Sequence, residues 1–297
     1  MPFHLSAQAK LLRLRPQPVR SWLMGRCPLD VLPSNALAAL RDVPDMLSGK
    51  APPAGALDAH YAAVLRSGWE AEDLAVAVAC SNSPMSHIQG DSGTLVIGTR
   101  GNWLVADPGY QQYVRGEERE FTVGAAAHNA PLINNHGPSQ KRPRRIVLED
   151  VSPSVHRVAV DLTACYPAGA SLKTLVRHVW LSGKNLVVVA DQVEAAKSPQ
   201  ATYHWHADPA AAWWFEAGWA LVALRDAQLW LTCSQGRLSG ADLQRLPGSR
   251  GQLSLVSTID GAGPVVWWVF ALGANRPTLH AEGEGRQIQL LDQTFSL

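Results

Sequence analysis

The chain has 297 residues, and its 26 Lys and Arg against 25 Asp and Glu leave a net charge of +1, which gives no electrostatic basis for a nucleic-acid or anionic-membrane partner. A hydrophobic share of 46% supplies a real core and excludes a disordered chain. No run of about 20 apolar residues offers a membrane span, and "MPFHLSAQAKLLRLRPQPVRSWLMG" has no uninterrupted apolar stretch of the kind a secretion signal needs.

Residues 1–56 hold short helical stretches such as "LDVLPSNALAALRDVPDMLSG", broken by prolines and closed by "GKAPPAG". They read as a helical remnant and linker. Residues 57–297 read as one antiparallel β-sandwich domain, because from about residue 60 onward short apolar or alternating runs are separated by Gly, Pro, Asn and Asp clusters. Such runs are "LAVAVAC", "GTLVIG", "NWLVAD", "RRIVLEDV", "HRVAVDL", "LVRHVWL", "LVVVADQV", "ATYHWHA", "WALVAL", "AQLWLTC", "LSLVSTI", "VVWWVFAL" and "RQIQLL". Hairpin punctuation such as "SGKN" and the lack of a fixed-period repeat favour a large sandwich over a propeller or β-helix. The fold class is therefore mainly β.

Cys27, Cys80, Cys165 and Cys233 are far apart with no CxxC spacing, so they read as buried thiols rather than a zinc site or a disulfide framework. The 11 tryptophans outnumber the 5 phenylalanines. The adjacent pairs Trp213-Trp214 and Trp267-Trp268 place one ring of each pair outward if the segments are strands, where a sugar could stack.

Polar groups concentrate in "MSHIQGDSGTLVIGTRGNWLVADPGYQQY", residues 85–113. An extended segment there puts His87, Gln89 and Asp91 on one face. Asp107 ends the next strand at the Pro108-Gly109 turn, and His128-Asn129 follow in "AAAHNAP". Imidazoles and carboxylates from separate strands are the usual parts of a metal site or an acid/base site. Plain hydrogen bonding of loops and turns accounts for the same residues.

The ordered series from "HYAAVLRSGWEAEDLAVAVAC" through "HIQGDSG", "VADPGYQQY", "AAAHNAP" and "VRHVWLSGKNLVVVADQVEA" to "YHWHADP", about residues 58–230, resembles the C-terminal half of the heparinase II/III-like polysaccharide lyases. The resemblance implies an antiparallel β-sandwich that packs on a helical toroid, with uronic-acid polysaccharides cleaved by β-elimination in the cleft between them. It places His87 on the catalytic histidine, Asp107 on a metal-binding aspartate and His128 on the last metal histidine. Gln89 stands where the family has its first metal histidine, so the zinc implied is one at a degraded site.

Tyr110, Tyr113 and Arg119 fall where a glycan would lie, although packing at the turn for the tyrosines and pairing with Glu117, Glu118 or Glu120 for the arginine are the more usual roles of such residues. "KRPRR" at 141–145 is either a solvated loop or a patch for an anionic polysaccharide, and His204 and His206 share a strand face with no ligand role implied. The partners implied are an acidic polysaccharide or oligosaccharide and a helical toroid from a longer protein or another chain. By family resemblance the location is periplasmic or secreted. A non-catalytic carbohydrate-binding or structural sandwich is the alternative.

Overall fold

The computed structural model describes residues 54–58, 62–80, 89–107, 113–139, 143–216, 218–235, 238, 243–245, 253–276, 285–290 and 293–297. Helices expected before residue 54, along with His87 and Tyr110, lie outside them.

Runs that alternate in sequence form strands with one buried face. Five of them, β1 (Gly55–Asp58), β2 (Ala62–Arg66), β3 (Ala75–Ala79), β4 (Leu95–Thr99) and β5 (Asn102–Val105), pair antiparallel in chain order as the first sheet. The seven-residue helix α1 (Glu117–Val123) and the short strand β6 (Leu132–Ile133) come after it. Next are β7 (Arg144–Ser152), β8 (Val155–Asp161), β9 (Leu172–Ser182), β10 (Leu186–Ala195) and β11 (Ala201–His206). The chain continues through β12 (Ala212–Glu216), β13 (Trp219–Leu224), β14 (Ala227–Cys233), β15 (Leu243–Arg245) and β16 (Leu253–Ile259). It ends with β17 (Val265–Leu272), β18 (Gln287–Leu290) and β19 (Gln293–Ser296).

An eight-stranded sheet, ordered β12-β13-β14-β17-β10-β9-β8-β7, faces the first sheet across a shared core. A four-stranded sheet, β15-β16-β11-β6, lies on the first sheet's side of that core and meets it where the Ala106 amide donates to the His206 carbonyl at 2.9 Å. Trp205 of β11 packs edge-on against Trp268 and Phe270 of β17, with ring centroids 5.2 and 4.9 Å away. Burying each such ring contributes on the order of 2 kcal/mol.

β17 and the first half of β10, residues 186–190, read as unbroken apolar runs because both their faces are covered. Val266, Trp268 and Phe270 point into the sandwich, while Val265, Trp267 and Val269 point outward beneath the β18–β19 hairpin. Ile288, Leu290 and Phe295 complete this second, smaller core with Trp180. Trp267 and Trp268 are therefore both buried, against the expectation that one ring of that pair faces out. Trp214, on the edge strand β12, is 53% exposed as expected. Cys80 and Cys165 are buried, as expected.

Inside the main core lies a fully buried ion pair. Arg177 of β9 and Asp191 of β10 stand directly opposite in the register, and both side chains have no exposed surface. The guanidinium donates from Nε and Nη2 to the two carboxylate oxygens, each at 2.8 Å, and from Nη1 to the carbonyls of Gly93 and Asn129, each at 2.7 Å. Burial works against the Arg177 charge, but Asp191 more than offsets it and raises the guanidinium above its ordinary range. Removing one member leaves the other charged and alone in the core, so Asp191→Ala is expected to lower the unfolding free energy by roughly 3–5 kcal/mol. Urea unfolding measures this, and a loss below about 1 kcal/mol would show that the carboxylate is dispensable.

Candidate functional site

At the end of the sandwich where β5 and β11 meet, four segments converge. The first enters through a turn in which the Thr94 amide donates to the Asp91 carbonyl at 2.9 Å and the Gly93 amide to the Ala79 carbonyl at 2.8 Å. Gly93 has φ +81°, and a Cβ there would come within 2.6 Å of Leu162, so conformation and space both demand glycine. Residues 89–94 thus form a loop and turn, and β4 begins only at Leu95. The shared strand face expected for Gln89 and Asp91 is not formed, because both lie outside any strand and the chain bends at Gly90 between them.

Sequence reading joined Asp107 and His128, and the structure brings them together. The β5 strand ends at Val105, which leaves Asp107 two residues beyond it with its side chain 28% exposed. His128 comes directly after a single 3-10 turn, Ala125–Ala127, and is 1% exposed. Its Nδ1 donates to Asp107 Oδ2 at 2.7 Å, since a carboxylate can only accept. Nε2 is buried without a hydrogen-bond partner.

His206 lies under the same loops. Its Nε2 donates to the Ala126 carbonyl at 2.9 Å, its ring meets Phe121 of α1 edge-on at 6.2 Å, and His204 stacks on it at 6.1 Å with the planes 6° apart. Burial pushes the His204 imidazole down to about 4, and burial reinforced by His204 pushes His206 down to about 3. Asp91 is shifted the other way: burial raises its carboxyl, opposed by the nearby charge of His128 and supported by that of Asp107. Three imidazoles, those of His128, His204 and His206, and two carboxyl groups therefore share one electrostatic neighbourhood, with neutral His206 at its base.

The remaining predicted residues are more dispersed. Gln89 is half-buried with Oε1 lacking a partner, Arg119 is half-buried on α1, and Tyr113 is 81% exposed in the loop before that helix. The buried Arg177–Asp191 pair was missed, although a signal exists: the two residues stand equally far from Lys184 in the "SGKN" turn, so a hairpin must set them opposite each other.

The donor set fits a zinc ion poorly. Asp107 and His128 turn their facing atoms to each other, and Gln89 offers a neutral amide where an imidazole or thiolate would bind far better. Among the described residues, no three His, Cys, Asp or Glu side chains gather as ligands.

The sequence profile of the heparinase II/III-like C-terminal family matches residues 49–261. Among solved structures, the heparan sulfate lyase HepC from Pedobacter heparinus aligns with a TM-score of 0.68 at 14% identity, over 100% of this chain and 47% of its own. The heparinase III that is the BT4657 gene product aligns with a TM-score of 0.67 at 14% identity, over 88% of this chain and 44% of its own. A further heparinase III gives 0.60 at 16% identity, over 84% and 43%. At such identities the likeness is one of fold, and the chain spans less than half the length of each. No curated protein matches.

Both buried imidazoles imply acid sensitivity. Unfolded, they titrate near 6.5, whereas in the fold they titrate at about 4 and about 3, so between these limits the unfolded state binds more protons. Stability is therefore expected to fall as pH drops below 6.5 towards these values. Melting temperatures across that window test this, with a shallower slope expected for His204→Gln; an unchanged slope would show that His204 is not held neutral.

Proposed function

Because the profile match covers most of its length, the chain belongs to the heparinase II/III-like C-terminal family, and on that footing we propose that it is the β-sandwich part of a polysaccharide lyase. Its substrate is an acidic, uronic-acid-containing polysaccharide of the glycosaminoglycan kind, cleaved by β-elimination. The observation that carries this reading is the Asp107–His128 hydrogen bond, formed within the matched span by residues from two separate loops at the sandwich edge.

The reaction needs the uronate carboxylate neutralised so that its neighbouring C–H becomes acidic, a base to take that proton, and an acid to protonate the departing glycosidic oxygen. His87 is the base in this reading, since histidine is the side chain whose ordinary titration range lies nearest neutrality. Tyr110 and Tyr113 border the sugar, and Arg119 attracts its carboxylate. The acid and the neutralising group come from a helical domain, belonging to a longer form of the protein or to another chain. A periplasmic or secreted location goes with this substrate; among the described residues no helix is long and apolar enough to cross a membrane.

The Asp107–His128 pair braces the cleft floor without a metal, because Gln89 removes the ligand that would complete a zinc site. His128 keeps its proton on Nδ1, facing the carboxylate, and the charge-assisted bond fixes both loops.

Expressed from its own genomic locus, so that any helical domain encoded with it is present, the protein should generate unsaturated uronate ends from such polymers, monitored by their ultraviolet absorbance. His87→Ala should slow this by about 10²–10⁴-fold. Polymer binding with no new ends would instead identify a carbohydrate-binding module. In a separate measurement, zinc content after dialysis against zinc should be far below one ion per chain and should rise towards one in Gln89→His. Stoichiometric zinc in the unsubstituted protein, with chelator lowering its melting temperature, would overturn the metal-free brace.

A further inference from the structure

We propose that Asn129 is the positioning residue of the Asp107–His128 pair. Asn129 is 1% exposed, and both of its Nδ2 hydrogens and its Oδ1 have partners. The Nδ2 hydrogens go to the carbonyls of Leu95 at 2.8 Å and Ala106 at 2.7 Å, and Oδ1 accepts the His206 amide at 2.8 Å. The His206 carbonyl accepts the Ala106 amide at 2.9 Å, so Asn129, Ala106 and His206 close a ring of three hydrogen bonds. The Asn129 carbonyl is itself held by Arg177 at 2.7 Å.

The bond to Ala106 joins the chain neighbours of the two members of the pair. Ala106 precedes Asp107 and His128 precedes Asn129, so a single amide sets the separation between the end of β5 and the loop that carries the imidazole. The 2.7 Å bond between Nδ1 and the carboxylate depends on that separation. Only an amide meets the demand: two carbonyls need two hydrogens and one amide hydrogen needs an oxygen, all from one short side chain. Aspartate at this position would set a buried charge against two carbonyl oxygens. Alanine would release the clamp and leave those carbonyls and the His206 amide unpaired.

A proton held between an imidazole nitrogen and a carboxylate resonates at unusually low field, and that signal reports the geometry of the pair without substrate or metal. In proton spectra of the full chain with 15N-labelled histidine, a low-field Nδ1–H signal should be present and should vanish in Asp107→Asn, which assigns it. The same signal should be lost or moved upfield in Asn129→Ala and in the milder Asn129→Ser, in samples that circular dichroism shows to be folded. An unchanged signal in either folded variant would overturn the proposal. If neither variant folds, the proposal is likewise overturned, and Asn129 is a staple of the fold. The measurement does not depend on the lyase reading: absence of activity would leave the spectra unaffected.

Discussion

The buried pair of Arg177 and Asp191 is the constraint on which the rest of this structure depends. Two full charges in an apolar interior survive only when nearly every donor and acceptor is met, and the carboxylate meets only part of the guanidinium's capacity. The remaining Nη1 hydrogens must find carbonyls, and they find those of Gly93 and Asn129. The Gly93 turn and the Asn129 loop are thereby drawn to the core and to each other, although they are distant in sequence. The site is assembled at the end of that chain of necessity.

A relay of hydrogen bonds runs from this interior pair to the rim. Arg177 fixes the Asn129 backbone, the Asn129 side chain fixes the ends of β5 and β11, and those ends fix Asp107 and His206. The relay starts at a fully buried group and ends at a carboxylate that solvent can reach. The candidate site is thus anchored at its most buried end and reaches solvent only at Asp107.

The neighbourhood is also kept low in charge. His204 and His206 are neutral by burial and Asp91 is pushed towards its neutral form, so the Asp107–His128 interaction has few competitors. Gln89 in place of a histidine goes in the same direction, adding an amide dipole rather than another titratable ligand.

Strand positions were legible in the sequence because short apolar or alternating runs bounded by turn residues reflect covered faces, and "GTLVIG", "WALVAL" and "HRVAVDL" all became strands where they stood. The proximity of Asp107 and His128 was legible only through the resemblance of an ordered series of motifs, since spacing along the chain says nothing about which loops meet. Burial of both Trp267 and Trp268 could not be read, because coverage of the outer face comes from a hairpin some twenty residues further on. The sequence by itself determined the strands, the antiparallel sandwich and the chemical types at its rim, since these come from local periodicity and composition. Only the tertiary structure decided that Gln89 and Asp91 leave the strand, that Arg177 reaches two loops, and that one asparagine joins them: hydrogen-bond satisfaction is a property of groups brought together in space.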